Sequence, residues 1–324
     1  MSCLTMTLGA LSNITALGIL AKSQVRFRRQ TKAPFLLLAG ALLLADLGGH
    51  MIPGAFSMYL HMAPNQNLDP RELAKDSAGT KAFCRVFGAS MVFFGLCPLL
   101  LGCAMAAERY VGISQPLLHA AVVTVARVRL AVMLLSSLAL LLAVLPLLDI
   151  GSYTTQFPGT WCFLPIHGTR STADTCLALA FSGLGLAAVG LSLLCNILSG
   201  LVLLQARVNY KSVKAKKCEP RSKRRTSSSS TWVTSCCSLD VEMMAQLAAI
   251  TVVSLVCWTP FLVSVASSIL SYLKMKILLM EVTEGKSLLG LRMASWNQIL
   301  DPWIYILLRK AVLRRVCCAF ETNC

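Results

Sequence analysis

Ionisable side chains interrupt apolar runs of this sequence at Asp46, Glu108, Arg109, Arg292 and Asp301, and the amides Asn13, Asn196 and Asn297 join them. A charge surrounded by hydrocarbon costs a few kcal/mol or more, so such groups face a protein interior and mark functional positions. Glu108, Arg109 and Tyr110 stand at the end of the third apolar run, where that span is expected to meet the cytoplasm. Adjacent opposite charges at such a boundary pair in one conformation and part in another, which makes an electrostatic switch. A snorkelling pair at a helix end is the plainer alternative. Arg292 precedes Pro302 by about ten residues, or ~15 Å of helix. At that height a guanidinium sits in the outer half of a bundle, where it can grip a carboxylate through two parallel bonds. The alternative for Arg292 is an internal ion pair, with Asp149 as the nearest acidic candidate.

The elements that position these residues are membrane helices. The chain of 324 residues is 56% hydrophobic and 14% charged, with mean hydropathy +0.68. That is more apolar surface than one water-soluble core covers. Apolar blocks near 2–21, 34–60, 83–111, 128–150, 175–205, 242–271 and 287–308 are each of the length that crosses ~30 Å of hydrocarbon. Backbone groups in lipid must satisfy one another, so the expected fold is all-α: a seven-transmembrane bundle over residues 1–308. Lys22, Arg26, Arg28, Arg29 and Lys32 follow the first block, and the fifth connection, 206–240, carries a longer basic run before Ser227–Ser230. The second and sixth connections mix both signs. By the positive-inside rule the N-terminus is extracellular and the C-terminus cytoplasmic. The fifth connection has the composition of a disordered segment.

The net charge of +16 is spread over these short connections, with no basic face or aromatic interleaving that suits nucleic acid. After the last block, Arg309, Lys310, Arg314 and Arg315 punctuate Ala311, Val312, Leu313, Val316 and Phe320. That spacing predicts a short amphipathic eighth helix on the inner leaflet within the tail 309–324. Cys317 and Cys318 there are either palmitoylated or unmodified thiols facing the membrane. Cys97, Cys103, Cys195 and Cys257 lie inside apolar runs and read as small hydrophobes. The first block begins almost at Met1 without a basic leader, so no cleavable signal is expected, and the sequon Asn13-Ile14-Thr15 is buried in a span.

Two prolines fall inside spans beside aromatic residues. Cys257-Trp258-Thr259-Pro260 lies in the sixth, and Asn297-Gln298-Ile299-Leu300-Asp301-Pro302-Trp303-Ile304-Tyr305 in the seventh. Each proline removes one backbone bond and kinks its helix, and Asn297 and Asp301 can bond across to Asp46 and Asn13. The set Asn13, Asp46, Glu108-Arg109-Tyr110, Trp258 with Pro260, and Asp301-Pro302 with Tyr305 resembles the rhodopsin-like G-protein-coupled receptors over essentially the whole chain. Gln156-Phe157-Pro158-Gly159-Thr160-Trp161-Cys162-Phe163 and Leu291-Arg292-Met293-Ala294-Ser295-Trp296-Asn297-Gln298 narrow the resemblance to the prostanoid receptors. Met91 to Cys103 and Asp240-Val241-Glu242-Met243 resemble the branch that answers prostaglandin E, with the prostaglandin F branch as its neighbour.

The resemblance implies a lipid ligand, prostaglandin E2, with its carboxylate on Arg292 and Thr160. It implies a Cys84–Cys162 disulfide that holds the second extracellular loop as a lid. Pocket walls are expected from Met51, Pro53, Met91, Phe94, Trp161, Trp258, Phe261 and Ser295. A Tyr is usual in that family where this chain has His61, and Tyr59 lies two residues earlier, so either can stand near the carboxylate. Ser136 replaces a common fourth-span Trp, and Pro98 a Ser that helps hold sodium, so no metal is expected at Asp46. No cofactor is expected either. The chain is short at both ends against the family pattern. The implied partner is a heterotrimeric G protein of the Gq type at the plasma membrane, which raises calcium. A transporter moving substrate or protons past Asp46, Asp301 and Arg292 is the competing class, but no internal repeat is seen. No hydrolase or metalloprotease motif has supporting context.

Overall fold

The computed structural model describes residues 3–26, 33–62, 78–157, 159–166, 171–216, 229–274 and 280–307. Helix α1 spans Cys3–Arg26, α2 Ala33–Met62, α3 Ala78–Ser114, α4 Pro116–Val122 and α5 Val125–Val144. A 3-10 turn, Leu145–Leu148, leads into strands β1, Thr154–Gln156, and β2, Trp161–Phe163. Helices α6, Thr172–Lys216, α7, Ser229–Lys274, and α8, Met280–Leu307, complete the described chain. Seven long helices, all but the short α4, thus correspond in order to the expected spans. Among the described residues, α2, α3, α5, α6 and α7 each hold an apolar stretch long enough to cross a membrane, while α1 offers the shorter Thr7–Lys22. The seventh span, α8, is diluted by polar groups that include Arg292, Asn297 and Asp301.

Burial follows position in the bundle. Helix α3 packs on α2, α5, α6 and the hairpin, and 61% of its apolar window is buried. Helix α5 buries only Val128, Ala139 and Ala143 of its described side chains and exposes Leu130, Met133, Leu134, Leu140 and Leu141. Lipid is the solvent for that face. Helix α8 packs against α7 and α1, which closes the bundle. A Cβ on Gly290 of α8 would stand 2.8 Å from the Cα of Phe261 in α7, so the close approach of these helices depends on glycine.

Sequence patterning and structure differ at the connections. The all-α expectation misses a two-stranded antiparallel hairpin in which Thr155 faces Cys162 and Gln156 faces Trp161. Gly159, at φ 93°, makes its turn and donates its N–H to the Gln156 carbonyl at 2.7 Å. The fourth span, expected to reach 150, ends its α-helix at Val144 because Pro146 tightens the chain into the 3-10 turn. Within the connection expected to be disordered, 206–216 and 229–240 continue α6 and α7 as helix. Extending an existing helix adds one hydrogen bond per residue fixed, which polar composition alone does not prevent. Residues 217–228 and the tail 308–324, with the expected eighth helix, Cys317 and Cys318, lie outside the described residues.

Candidate functional site: an outer aromatic stack and an inner ion pair

The hairpin is fastened to the outer end of the bundle at three points. Cys84, near the start of α3, forms a disulfide with Cys162 of β2, as the resemblance implies. Tyr153 packs where Gly88 of α3 leaves room and donates its hydroxyl to the Ala143 carbonyl of α5 at 2.8 Å. Burial pushes the Tyr153 phenol above its usual range, so it remains a donor at physiological pH. Asp174, in the first turn of α6, accepts from the backbone N–H of Ser152 at 2.6 Å and from the Ser171 hydroxyl at 2.8 Å.

Held in this way, the hairpin pushes two rings inward. Phe163 lies 5.1 Å from Phe181 of α6 and 5.3 Å from Phe261 of α7, centroid to centroid. Trp161 meets Phe261 at 6.2 Å, and Phe261 in turn meets Trp258 at 6.3 Å. Edge-to-face rings at such distances attract beyond the area they bury. A continuous stack therefore runs from the hairpin to Trp258, two residues before the α7 proline. Trp161 and Trp258 are buried, whereas Thr160 is half-buried at the hairpin turn. Of these residues, Phe163 and Phe181 were not legible as a set, because nothing in the sequence says that a loop ring reaches two helices.

Other expected ligand residues are dispersed. Phe94 packs against Gly48 and Gly49 of α2, and its carbonyl accepts from Gln298 of α8 at 3.4 Å. Met51 and Tyr59 are exposed, with the Tyr59 ring 5.2 Å from Phe83. His61 lies in the last turn of α2, and its side chain is outside the described part. The expected interior position of Arg292 is not observed: its side chain is exposed, on the side of α8 that carries Leu289 and Trp296. The reason is register. Ser287, Gly290, Ala294, Asn297 and Asp301, spaced by three or four residues, form the buried stripe, and Arg292 falls between its members. No described residue hydrogen-bonds the Arg292 guanidinium, while the Ser295 hydroxyl is turned to the Arg292 carbonyl at 2.7 Å. Asp149, the alternative partner, instead pairs with Arg85 of α3 at 2.7 Å. Arg85 also donates to the carbonyls of Pro146 and Leu147.

The inner half holds the second group. Arg109 places two guanidinium nitrogens on the two oxygens of Glu108, and its central carbon lies 4.8 Å over the Phe35 ring of α2. Both side chains are largely buried. The Glu108 carboxylate has a further partner that the sequence did not announce, the Nε2 of His119 in α4, at 2.8 Å. The only sequence signal was Pro116, which starts a new helix directly after α3 and so turns the chain back. Nearer the middle, Asn13 of α1 donates to the Gln298 carbonyl at 3.0 Å, and Asn297 donates to Asp301 at 2.9 Å. The anticipated bonds from Asn297 and Asp301 to Asp46 are thus replaced by a pairing one turn apart within α8, with Asn13 reaching backbone instead. Asp46 is fully buried, and Asn297 and Asp301 border a 20 Å³ cavity with Thr251, Ser192 and Ser254. Asn196 of α6 donates to Thr251 of α7 at 2.6 Å. Tyr110 and Pro302 sit in α3 and α8 as expected, and the Tyr305 side chain is outside the described part.

A helical bundle with a disulfide-pinned loop, a proline two residues after Trp258 within α7 and a Glu-Arg pair at the end of α3 defines a class of signalling receptor. Residues 22–305 match the model of the 7 transmembrane receptor (rhodopsin family). The crystal structure of squid rhodopsin superposes with a TM-score of 0.70, at 15% identity, covering 99% of this chain and 83% of that one. The chain belongs to the rhodopsin-family G-protein-coupled receptors and, within them, to the prostanoid receptors. The prostaglandin E2 receptor EP1 subtype of Mus musculus is 43% identical over 340 residues, 96% of this chain and 80% of that receptor. The Homo sapiens receptor of the same description is 43% identical over 339 residues, again 96% and 80%. The prostaglandin F2-alpha receptor of Homo sapiens is 40% identical over 315 residues, 97% of this chain and 79% of that receptor.

Proposed function

We propose that the chain is a plasma-membrane receptor for prostaglandin E2 that signals through a Gq-type G protein to calcium. The observation that carries the mechanism is the stack Trp161–Phe163–Phe261–Trp258, since it joins the extracellular lid to the sixth-span kink without a gap. The choice of ligand rests on the 43% identity to receptors described as binding that compound. A ligand touching the hairpin at Thr160 and Trp161 changes how Phe261 and Trp258 pack. The sixth and seventh helices then rearrange about Pro260 and Pro302, and Arg109 leaves Glu108. Ligand acts by binding that open arrangement more tightly than the closed one.

Arg292 is the proposed carboxylate anchor. A cation with no described partner in the outer half of α8, beside exposed Leu289 and Trp296, offers a fatty carboxylate both charge and apolar surface. The prostaglandin F2-alpha receptor, 40% identical to this chain, makes that compound the second candidate. In the proposed topology the N-terminus is extracellular and residues 217–228 are cytoplasmic. Calcium release in cells displaying the receptor should be strongest for prostaglandin E2 among the E, F and D compounds. A response led by F2-alpha would move the assignment to that ligand, and silence toward all of them from displayed receptor would reject the ligand class.

A further inference from the structure

We infer that a cavity of about 530 Å³ between the start of α3, the 3-10 turn and β1 seats the phosphodiester head of an anionic membrane lipid, in the leaflet that the hairpin faces. The inference is independent of which ligand the receptor answers. Lys81, Arg85, Pro146, Asp149, Tyr153 and Thr154 are among the residues that line the cavity. Lys81 and Arg85 stand four residues apart on α3 and so share one face of it. Arg85 binds Asp149 and the carbonyls of Pro146 and Leu147 through Nη2 alone. Its Nη1 and Nε carry three further N–H groups, none of which bonds to a described residue. The side chain is 39% exposed, so a ligand in the cavity can reach them. Among the described residues no carboxylate pairs with Lys81.

The hairpin adds a third kind of donor. Thr154 Oγ1 accepts from Gln156 Nε2 at 2.8 Å, which leaves its own proton for a ligand. The other lining hydroxyls are already committed. Ser152 donates to Asp174 and Tyr153 to the Ala143 carbonyl. Thr155 donates to Cys84 Sγ at 3.7 Å, since the disulfide leaves that sulfur without a proton. A guanidinium edge, an ammonium and a hydroxyl together suit the oxygens of a phosphate. Two cations against one carboxylate leave a single positive charge, which the single negative charge of a phosphodiester cancels. A fatty carboxylate has the same charge but leaves most of the cavity unfilled, whereas the glycerol units of a phospholipid head occupy it. The position of the cavity points to lipid as the source. The apolar stretch of α3 begins at Lys81, and that of α5 with its 3-10 turn ends at Leu148, so the cavity lies at the edge of the hydrocarbon. Leu148 and Ile150, on either side of Asp149, are exposed, as is Val86 beside Arg85. Acyl chains therefore meet apolar surface next to the head. A head bound there joins α3 to β1 in addition to the disulfide.

The test places full-length receptor in phosphatidylcholine discs with a minor share of phosphatidylglycerol that carries a photoreactive group near the head end of one acyl chain. After irradiation, labelled peptides are located by mass spectrometry. Label should appear within 145–152 and around Val86. It should fall about tenfold or more in Lys81→Glu, which reverses the charge, and persist in Lys81→Arg. Thr154→Val should lower it severalfold. These variants keep the Arg85–Asp149 bond, and an unchanged Tm shows that each is folded. Label beside Lys22 and Arg127, at the other end of the bundle, serves as the reference and should be the same in all of them. No label within 145–152 of wild type overturns the inference, as does undiminished label in both folded Lys81→Glu and Thr154→Val. Equal label from a photoreactive phosphatidylcholine overturns the choice of an anionic head. Competition by oleate as strong as that by unlabelled phosphatidylglycerol overturns the phosphate, and equal competition by water-soluble glycerophosphoglycerol overturns the lipid source.

Discussion

Phe261 touches Trp161, Phe163, Phe181 and Trp258, so this ring has more to lose than any neighbour in the stack. Phe261→Ala should cost about 3–5 kcal/mol of stability. In thermal unfolding of detergent-purified receptor this should appear as a fall in Tm of several degrees. Phe163→Leu keeps most of the volume but removes the ring, and should preserve surface display while weakening the calcium response. Asp46, Arg109, Trp258 and Asp301 were legible as special residues because charge or bulk in an apolar run is costly. The side on which Arg292 projects was not legible. Height along a helix follows from residue count, but facing follows from which neighbours claim the buried stripe. The contact of His119 with Glu108 was invisible for a related reason, as a histidine in a short connection between spans has no cost that sequence can reveal.

Among the elements, the hairpin depends most on its fastenings. Removing the disulfide through Cys84→Ser frees a loop closed over a sequence separation of 78 residues, and such links are worth roughly 2–4 kcal/mol. Binding at the cell surface should fall sharply, and mild reduction of intact wild-type cells should reproduce the loss. Tyr153→Phe removes one buried hydrogen bond while keeping the ring against Gly88, so it should cost only about 1 kcal/mol. The α7–α8 contact is less forgiving. Gly290→Val forces Phe261 backbone and α8 apart, and displayed receptor should be scarce by flow cytometry, whereas Gly200→Ala, in open space on α6, should display normally. The seven spans could be read from apolar block length. The hairpin that joins two of them could not, because a three-residue strand pair is set by its contacts with α3 and the Cys84–Cys162 link rather than by local pattern.

At the scale of the molecule, the aromatic stack and the ion pair sit at opposite ends of the bundle, with aromatic packing leading inward from the hairpin and the buried Glu108–Arg109 pair at the face proposed to be cytoplasmic. The basic connections fix its proposed orientation, and an epitope placed within 217–228 should react with antibody only after cells are permeabilised. Because the bundle is shared by the whole family, it decides that a signal crosses the membrane but not which ligand starts it. In the proposed account that choice falls to the outer residues, above all Arg292 on α8. The most direct measurement is saturation binding of radiolabelled prostaglandin E2 to membranes with matched display of wild type, Arg292→Lys and Arg292→Ala. The account predicts saturable binding to wild type, partial retention by the lysine variant and a loss of about 30-fold or more in the alanine variant, in line with a lost charge pair. Equal affinity in all three would contradict the proposed anchor, and the absence of saturable binding to displayed wild type would contradict the ligand.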